Sequence, residues 1–354
     1  MRTTYAAVVA LCVACGTPEE TGEESSPPSS TSESPSGAVS TESSAQSTTD
    51  ATETTADPSS SGNAGTAEAT TDATNSTGPT DCAPPPDASP AWLRGYLDEV
   101  VARMTGAMEL SPGVTLAERS TPANRAATAD WLDAEFGALG LEVERHAYSA
   151  QGTNIVGRLP ATEPGGRTLV VGAHFDSVPG SPGANDNATG VAFVLALARY
   201  SSSIECRSHD VLFVGFDQEE VGLVGSEAYA AFLVDQGEDI LAVHTIDQMG
   251  WDQDGDRAIE LERADEGLYE VYEAANASLG TPITLHSTGT GFTDHVSFRP
   301  YGFAAVGLTE EFVNGDTTPH YHLSTDSYET VNFDLLASTC VLGNTAFAML
   351  IDAG

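Results

Sequence analysis

Lysine is absent from the 354-residue sequence; all thirteen basic side chains are Arg, against 52 Asp and Glu, for a formal net charge of −39. A chain so poor in positive charge lacks the footprint needed for nucleic acid or an anionic lipid surface, so neither is an expected partner. The charge suits cationic peptides, or serves solubility alone. Aromatic residues are missing from residues 16–81, where Val39 is the single large aliphatic and twelve acidic residues meet no Arg. Such a stretch cannot bury a core and is expected to be a disordered tether. Residues 82–354 still hold 40 acidic residues against 12 Arg, a balance of −28.

Near the N-terminus, Arg2 precedes the apolar stretch Ala6 to Ala14. It is too short to span a bilayer and the right length for a signal-peptide core, so residues 1–14 are read as a signal peptide and the chain as exported, either secreted or held at the cell surface. Cys15 follows Val13-Ala14 in a way that resembles the bacterial lipoprotein processing site, except that Cys12 stands where Leu is usual. A lipid on Cys15 is then the expected route to a membrane. Residues 15–85 are read as linker and 86–354 as one catalytic domain, expected to be monomeric. Cysteine is scarce: Cys82, Cys206 and Cys340 remain besides Cys15, an odd number for an oxidising compartment. One disulfide and one free thiol are expected, with Cys206 and Cys340 the favoured pair.

The catalytic stretch is long enough for one large α/β domain. Trp92, Leu93, Tyr96, Leu97, Val100, Val101 and Met104 form one stripe of a helix beginning near Pro90. A second helix runs from Thr121 as N-cap and Pro122 in the first turn to Gly140 as stop. A third should follow Asp186 and bury Val191, Val194, Leu195 and Ala198, and residues 333–351 make the last. Uninterrupted apolar runs over 168–173, 211–216, 241–246 and 303–308 read as strands buried on both faces.

Chemistry-bearing residues come directly after those runs: His174-Phe175-Asp176, Asn185-Asp186-Asn187, Glu219-Glu220, Asp247 and His320-Tyr321-His322. Taken singly, His-x-Asp or Glu-Glu is most often a solvated loop, and Asp186 reads as easily as a helix cap or turn. In an open α/β sheet, however, ligands gather outside the carboxyl ends of strands. Four strand ends would deliver imidazoles and carboxylates to one crevice. A hydrolytic zinc site needs nitrogen and oxygen ligands, an open position, and a nearby carboxylate that is not a ligand. Asp176, two residues after His174, suits the outer acceptor that fixes the imidazole tautomer. Trp251-Asp-Gln-Asp-Gly-Asp256 has alternating oxygens like a calcium loop but lacks the closing Glu, and reads as a turn between strands.

From about residue 115 onward, the ordered set His-x-Asp, Gly-Ala-Asn-Asp-Asn-Ala-Thr-Gly, Glu-Glu, Asp-x-Met-Gly and His-x-x-x-Asp resembles the co-catalytic two-zinc aminopeptidases, relatives of glutaminyl cyclases and some carboxypeptidases. Gln248, between Asp247 and Met249, departs from the pattern, and His320 and His322 compete for its last ligand. The resemblance implies a mixed, mostly parallel sheet of about eight strands flanked by helices. It further implies two zinc ions bridged by Asp186, one completed by His174 and Asp247, the other by Glu220 and His322. His322 is preferred because its spacing to Asp326 fits. Glu219 is then the general base, and Tyr321 a donor to the developing oxyanion. Asp294 and His295 are expected to shape the floor near the substrate without binding metal. The expected activity is removal of an N-terminal residue, with an apolar side chain preferred, from peptide substrates. The alternatives are a one-zinc glutaminyl cyclase, a carboxypeptidase, or an inactive binding module on the same fold.

Overall fold

The computed structural model describes residues 82–265 and 267–353. The proposed signal peptide, Cys15 and nearly all of the proposed linker lie outside the described residues. The strands are β1 (Glu142–Ala147), β2 (Thr153–Leu159), β3 (Thr168–His174), β4 (Asp210–Phe216), β5 (Ile240–Ile246), β6 (Ala258–Glu262), β7 (Thr284–Thr288) and β8 (Ala305–Glu310). The helices are α1 (Leu93–Met104), α2 (Pro122–Ala138), α3 (Thr189–Ser201), α4 (Val224–Gln236), α5 (Leu268–Ser278) and α6 (Phe333–Ile351).

All eight strands form one sheet in the order β1-β2-β4-β3-β5-β8-β6-β7. The central four, β4, β3, β5 and β8, run parallel, and β2 and β6 flank them antiparallel. Every residue of β3 is buried, as an uninterrupted apolar run requires when both faces are covered. Gly172 has a packing reason: a Cβ there would stand 2.2 Å from the Phe216 ring of the neighbouring strand. One face of the sheet packs against α1, α2, α3, α5 and α6 in the larger core, and α4 covers the other with Tyr229, Ala230 and Leu233. Each fully buried side chain such as Phe193 or Leu195 contributes roughly 1.5–3 kcal/mol of transfer free energy.

The helix signals act as read. Thr121 accepts a hydrogen bond from the Asn124 N–H and Pro122 opens α2. The last helix is long and apolar enough to cross a membrane by length and composition, yet it packs against α1, α3 and α5 as a core helix.

The expected disulfide is corrected. Cys206 pairs with Cys82, and Cys340 is a free, buried thiol. The reason is distance along α6. Cys206 sits beside the end of that helix, where Ser208 N–H donates to Ile351 O and Ala353 N–H to Cys206 O. Cys340 lies eleven residues earlier, about 16 Å along the axis at 1.5 Å per residue, beyond the roughly 7 Å that a disulfide spans between Cα atoms. Instead the bond ties Cys82 to the segment leading into β4.

Candidate metal centre and active site

Four parallel strands ending on one edge of the sheet place the motifs together. His174 is the last residue of β3, Asp247 follows β5, and Glu219 and Glu220 lie in the loop after β4. Asp186 occupies a wide π-type turn over Ala184–Ala188 between β3 and α3, and the chain after β8 returns His322. This is the crevice outside the carboxyl ends, where the connection from β3 goes one way to β4 and that from β4 crosses back to β5.

Asp186 divides its two oxygens between the two imidazoles. Its Oδ1 lies 3.2 Å from His174 Nε2, and its Oδ2 lies 3.3 Å from His322 Nε2. Asp247 Oδ1 stands 3.5 Å from His174 Nε2, and Glu220 Oε2 stands 3.1 Å from His322 Nε2. Two triads therefore share one carboxylate: His174, Asp186 and Asp247, and Asp186, Glu220 and His322. A tetrahedral ion with ligands at about 2.0–2.1 Å has ligand-to-ligand edges of about 3.3–3.4 Å, close to the four imidazole-to-carboxylate separations of 3.1–3.5 Å. The donors are also free for one: His174 Nε2, Asp247 Oδ1 and Glu220 Oε1 are buried with no hydrogen-bond partner.

The electrostatics point the same way. Burial pushes the Glu219 carboxyl up to about 10, with His174 opposing and Asp294, Asp247 and Asp186 adding to the rise. Burial, then Asp186, lifts Glu220 to about 8. For His174 burial pulls downward, but Asp247, Glu219, Asp176 and Asp186 together raise its pKa well above the ordinary imidazole value. So many buried carboxylates in one place are stable as anions only beside cations.

Local hydrogen bonds aim these groups. Asp176 Oδ1 lies 3.4 Å from His174 Nδ1, and the same carboxylate accepts from the backbone N–H groups of Glu219 and Glu220 at 3.1 and 3.3 Å. It thus orients the ring and the Glu pair at once. Asp326 accepts from the N–H groups of Asn185 and Asp186 at 2.8 and 3.1 Å, holding the turn that carries Asp186. His322 and Gln248 adopt left-handed backbone, with φ of 59° and 50°, conformations that cost non-glycine residues energy and collect at functional sites.

His320 does not join the cluster; its Nδ1 pairs with Thr325 Oγ1 at 2.9 Å and its ring meets Trp251 edge-on. Glu219 belongs to neither triad, yet lines the adjoining pocket with Asp186, Asp247, Gln248, Tyr321 and His322. Tyr321 stacks on the His322 ring at 3.7 Å. Asp294 is buried nearby, and His295 packs beside Glu262; neither is in a triad.

Two supporting residues escape a reading of motifs. Arg119 is fully buried and donates to the carbonyls of Phe175, Met104, Pro182 and Gly183 at 2.6–2.9 Å, pinning the segment between His174 and Asp186. A lone Arg outside any periodic stretch gives no local sign of this. Glu310 accepts from Asn185 Nδ2 at 2.9 Å and from Trp251 N–H at 2.8 Å, joining the β8 end to the Asp186 turn.

Fold and cluster together define an α/β protein with imidazoles and carboxylates gathered at its strand ends in an arrangement that could hold cations. The chain belongs to peptidase family M28, whose family model matches residues 154–341. Aminopeptidase YwaD of Bacillus subtilis strain 168 is 31% identical over 177 residues, covering 48% of this chain and 38% of that protein. The chain spans about half the length, or less, of the curated relatives it matches first. Among solved structures, the Bacillus subtilis zinc aminopeptidase BSAP aligns at 27% identity and a TM-score of 0.53 over 57% of this chain and 50% of its own. The Legionella pneumophila LapA aminopeptidase, at 21% identity, shares the fold with a TM-score of 0.64 over 73% of this chain and 72% of its own.

Proposed function

We propose that this chain is an exported, zinc-dependent aminopeptidase that hydrolyses the bond after an unsubstituted N-terminal residue of a peptide. The observation that carries the reading is the split carboxylate of Asp186 between two imidazole-containing triads, with unliganded Glu219 beside them in the pocket wall. Family membership and the BSAP likeness support the metal and the reaction class. His174, Asp186 and Asp247 would hold one ion, and Asp186, Glu220 and His322 a second. When bound, the ions act as Lewis acids toward the scissile carbonyl and acidify water towards a pKa of ~7.

Glu219 takes the proton of the attacking water and returns it to the leaving amine. Asp176 holds the His174 ring and the Glu219 backbone in place for that transfer. The Tyr321 hydroxyl donates to the oxyanion as it forms. Aromatic Phe292, Phe312 and Tyr321 in the pocket wall support contact with apolar parts of the substrate residue. No Arg lines the pocket among the described residues, which speaks against a carboxypeptidase, since a terminal carboxylate needs a cation. Export is supported by the signal-like N-terminus and by the Cys82–Cys206 disulfide, which belongs to an oxidising compartment. A lipid on Cys15 would then supply the only membrane contact.

The test is hydrolysis of aminoacyl para-nitroanilides by the full zinc-loaded chain, with metal counted. Activity lost on chelation, restored by zinc, and blocked by N-acetylation of the substrate is expected, at two ions per chain. Glu219→Gln should lower kcat by ~10²–10⁴-fold with both ions retained, whereas Glu220→Gln should lose metal too. Near-normal turnover in Glu219→Gln would remove it as the base. One ion per chain with cyclisation of an N-terminal Gln peptide would instead identify a glutaminyl cyclase.

A further inference from the structure

One carboxylate in the pocket has no part in the chemistry above. Glu262 is the last residue of β6, 1% exposed, and lines the same pocket as Asp186, Glu219, Asp247 and His322. Glu260, two residues earlier on the same face of the strand, lies outside that pocket and is held structurally through one oxygen, its Oε2 being buried with no partner. Its Oε1 accepts from the backbone N–H groups of Val313 and Asn314 and from Asn314 Nδ2, at 2.7–2.9 Å. Among the described residues no backbone N–H donates to the Glu262 carboxylate. Its Oε2 accepts from Thr293 Oγ1 at 3.0 Å and lies 3.6 Å from His295 Nδ1, which is itself 2.8 Å from the same hydroxyl. Among the described residues no hydrogen bond reaches Oε1, and the residue lines the pocket wall.

The fold makes room for this arrangement. A Cβ on Gly307 of β8 would stand 2.6 Å from His295 Nδ1 and 2.8 Å from Glu262 Oε2. The pocket around the carboxylate is walled by Phe292 and Phe312, with Thr290, Thr293 and Thr309 supplying hydroxyls. Aromatic walls accept an aliphatic stem and the face of a cation. A carboxylate buried without a full set of donors carries a desolvation cost that an incoming cation offsets and an alkyl group leaves in place.

We propose that Glu262 makes this pocket select a substrate whose N-terminal residue is Arg or Lys over one that begins with Leu. The inference rests on the aminopeptidase reading and deepens it: the aromatic walls take the stem and Glu262 the charged head. Discrimination comes mainly from the penalty on the wrong substrate, because Leu closes the pocket over a carboxyl group whose Oε1 has no donor. The −28 balance of residues 82–354 adds a field that draws basic peptides to the crevice.

The experiment compares kcat/KM for arginine, lysine and leucine para-nitroanilides on the full zinc-loaded chain and on its Glu262→Gln variant, with melting curves for both. Arginine and lysine should exceed leucine by at least tenfold, chiefly through KM, and Glu262→Gln should collapse that ratio by at least tenfold. Calorimetric titration with argininamide and leucinamide gives a second readout independent of turnover, in which the variant should lose the preference for argininamide. A leucine preference in the parent chain, or a ratio unchanged in a folded variant, overturns the proposal while the aminopeptidase reading stands. Failure to cleave any of the three substrates, with no preference between the two amides, overturns both.

Discussion

Two acid-rich stretches follow one another along the chain, and only one is built for a cation. Asp247 ends the buried run of β5, and five residues later Asp252, Asp254 and Asp256 crowd the turn into β6. Asp247 joins His174 and Asp186 from other strand ends, and Asp252, Asp254 and Asp256 join one another, so each place has three ligand atoms within reach of a single ion. In the turn, however, the carboxylates are already used. Asp252 accepts from the N–H groups of Gly255 and Arg257, Asp254 from Asp256, and Asp256 from Ala258, while Asp316 accepts from Gln253 and Asp254. Asp254 and Asp256 are also open to water. Around Asp247 the acids are buried, two imidazoles face them, and several donor atoms have no protein partner. Carboxylate density therefore says little; burial with unused lone pairs and nitrogen ligands separates a metal centre from a solvated turn.

The sharpest way to break this contrast is Asp186→Asn. On the proposed two-ion reading, removing the shared carboxylate should lower bound metal to at most one ion and cut kcat/KM by ~10³-fold or more, read by metal analysis and aminoacyl hydrolysis. Two ions and full activity in that variant would end the distinction. Next is Gly190→Ala, which leaves every ligand in place. A Cβ there would stand 2.2 Å from Asn187 Oδ1 and 2.7 Å from Ile246 O, so the Asp186 turn must shift. A loss of roughly 1–3 kcal/mol in denaturant unfolding is expected, together with weaker metal binding.

A third case on β5 sharpens the comparison. His244 is fully buried with no acidic neighbour in its environment, its Nδ1 2.9 Å from Tyr272 Oη, and burial pushes its pKa down to about 3. The unfolded chain protonates near 6.5, so between pH 6.5 and 3 the unfolded state binds the extra proton. The contribution is complete above pH 6.5 and lost as pH falls towards 3. Between pH 7 and pH 4 the melting temperature of the parent chain should therefore fall relative to that of His244→Gln, which lacks this proton-linked contribution. The smallest effect belongs to the turn itself. Asp254→Asn should change stability by no more than about 0.5 kcal/mol and leave metal content and turnover alone, as measured by melting and metal analysis.

Much of the scaffold can be read from local pattern. The apolar runs at β3, β4, β5 and β8, the Thr121-Pro122 start of α2 and the stripe of α1 each announce themselves within a few turns of chain. So does the set of site candidates, because His174, the Glu pair and Asp247 stand at or just after such runs and Asp186 and His322 in the loops that follow β3 and β8. Asp176 was legible as a partner for His174, but not as the acceptor for the Glu219 and Glu220 N–H groups, which come from a different strand end. Glu262 gives no signal at all, since an acid closing a short strand looks like any other.

What the sequence determined by itself, then, is periodicity, burial on both faces of the central strands, and the residue types at their ends, all properties of neighbours along the chain. Strand order, disulfide partner and final geometry depend on contacts between residues far apart in sequence. The spacing to Asp326 favours His322 over His320 in sequence, but the ring's place beside Glu220, with left-handed backbone at His322 and Asp326 holding the Asp186 turn, is set in three dimensions. Cys206 meets Cys82 and not Cys340 because the end of α6, not its middle, reaches the start of β4. Such choices are made by packing in three dimensions, where a shift of a few ångströms in one loop changes which lone pairs are left without a partner.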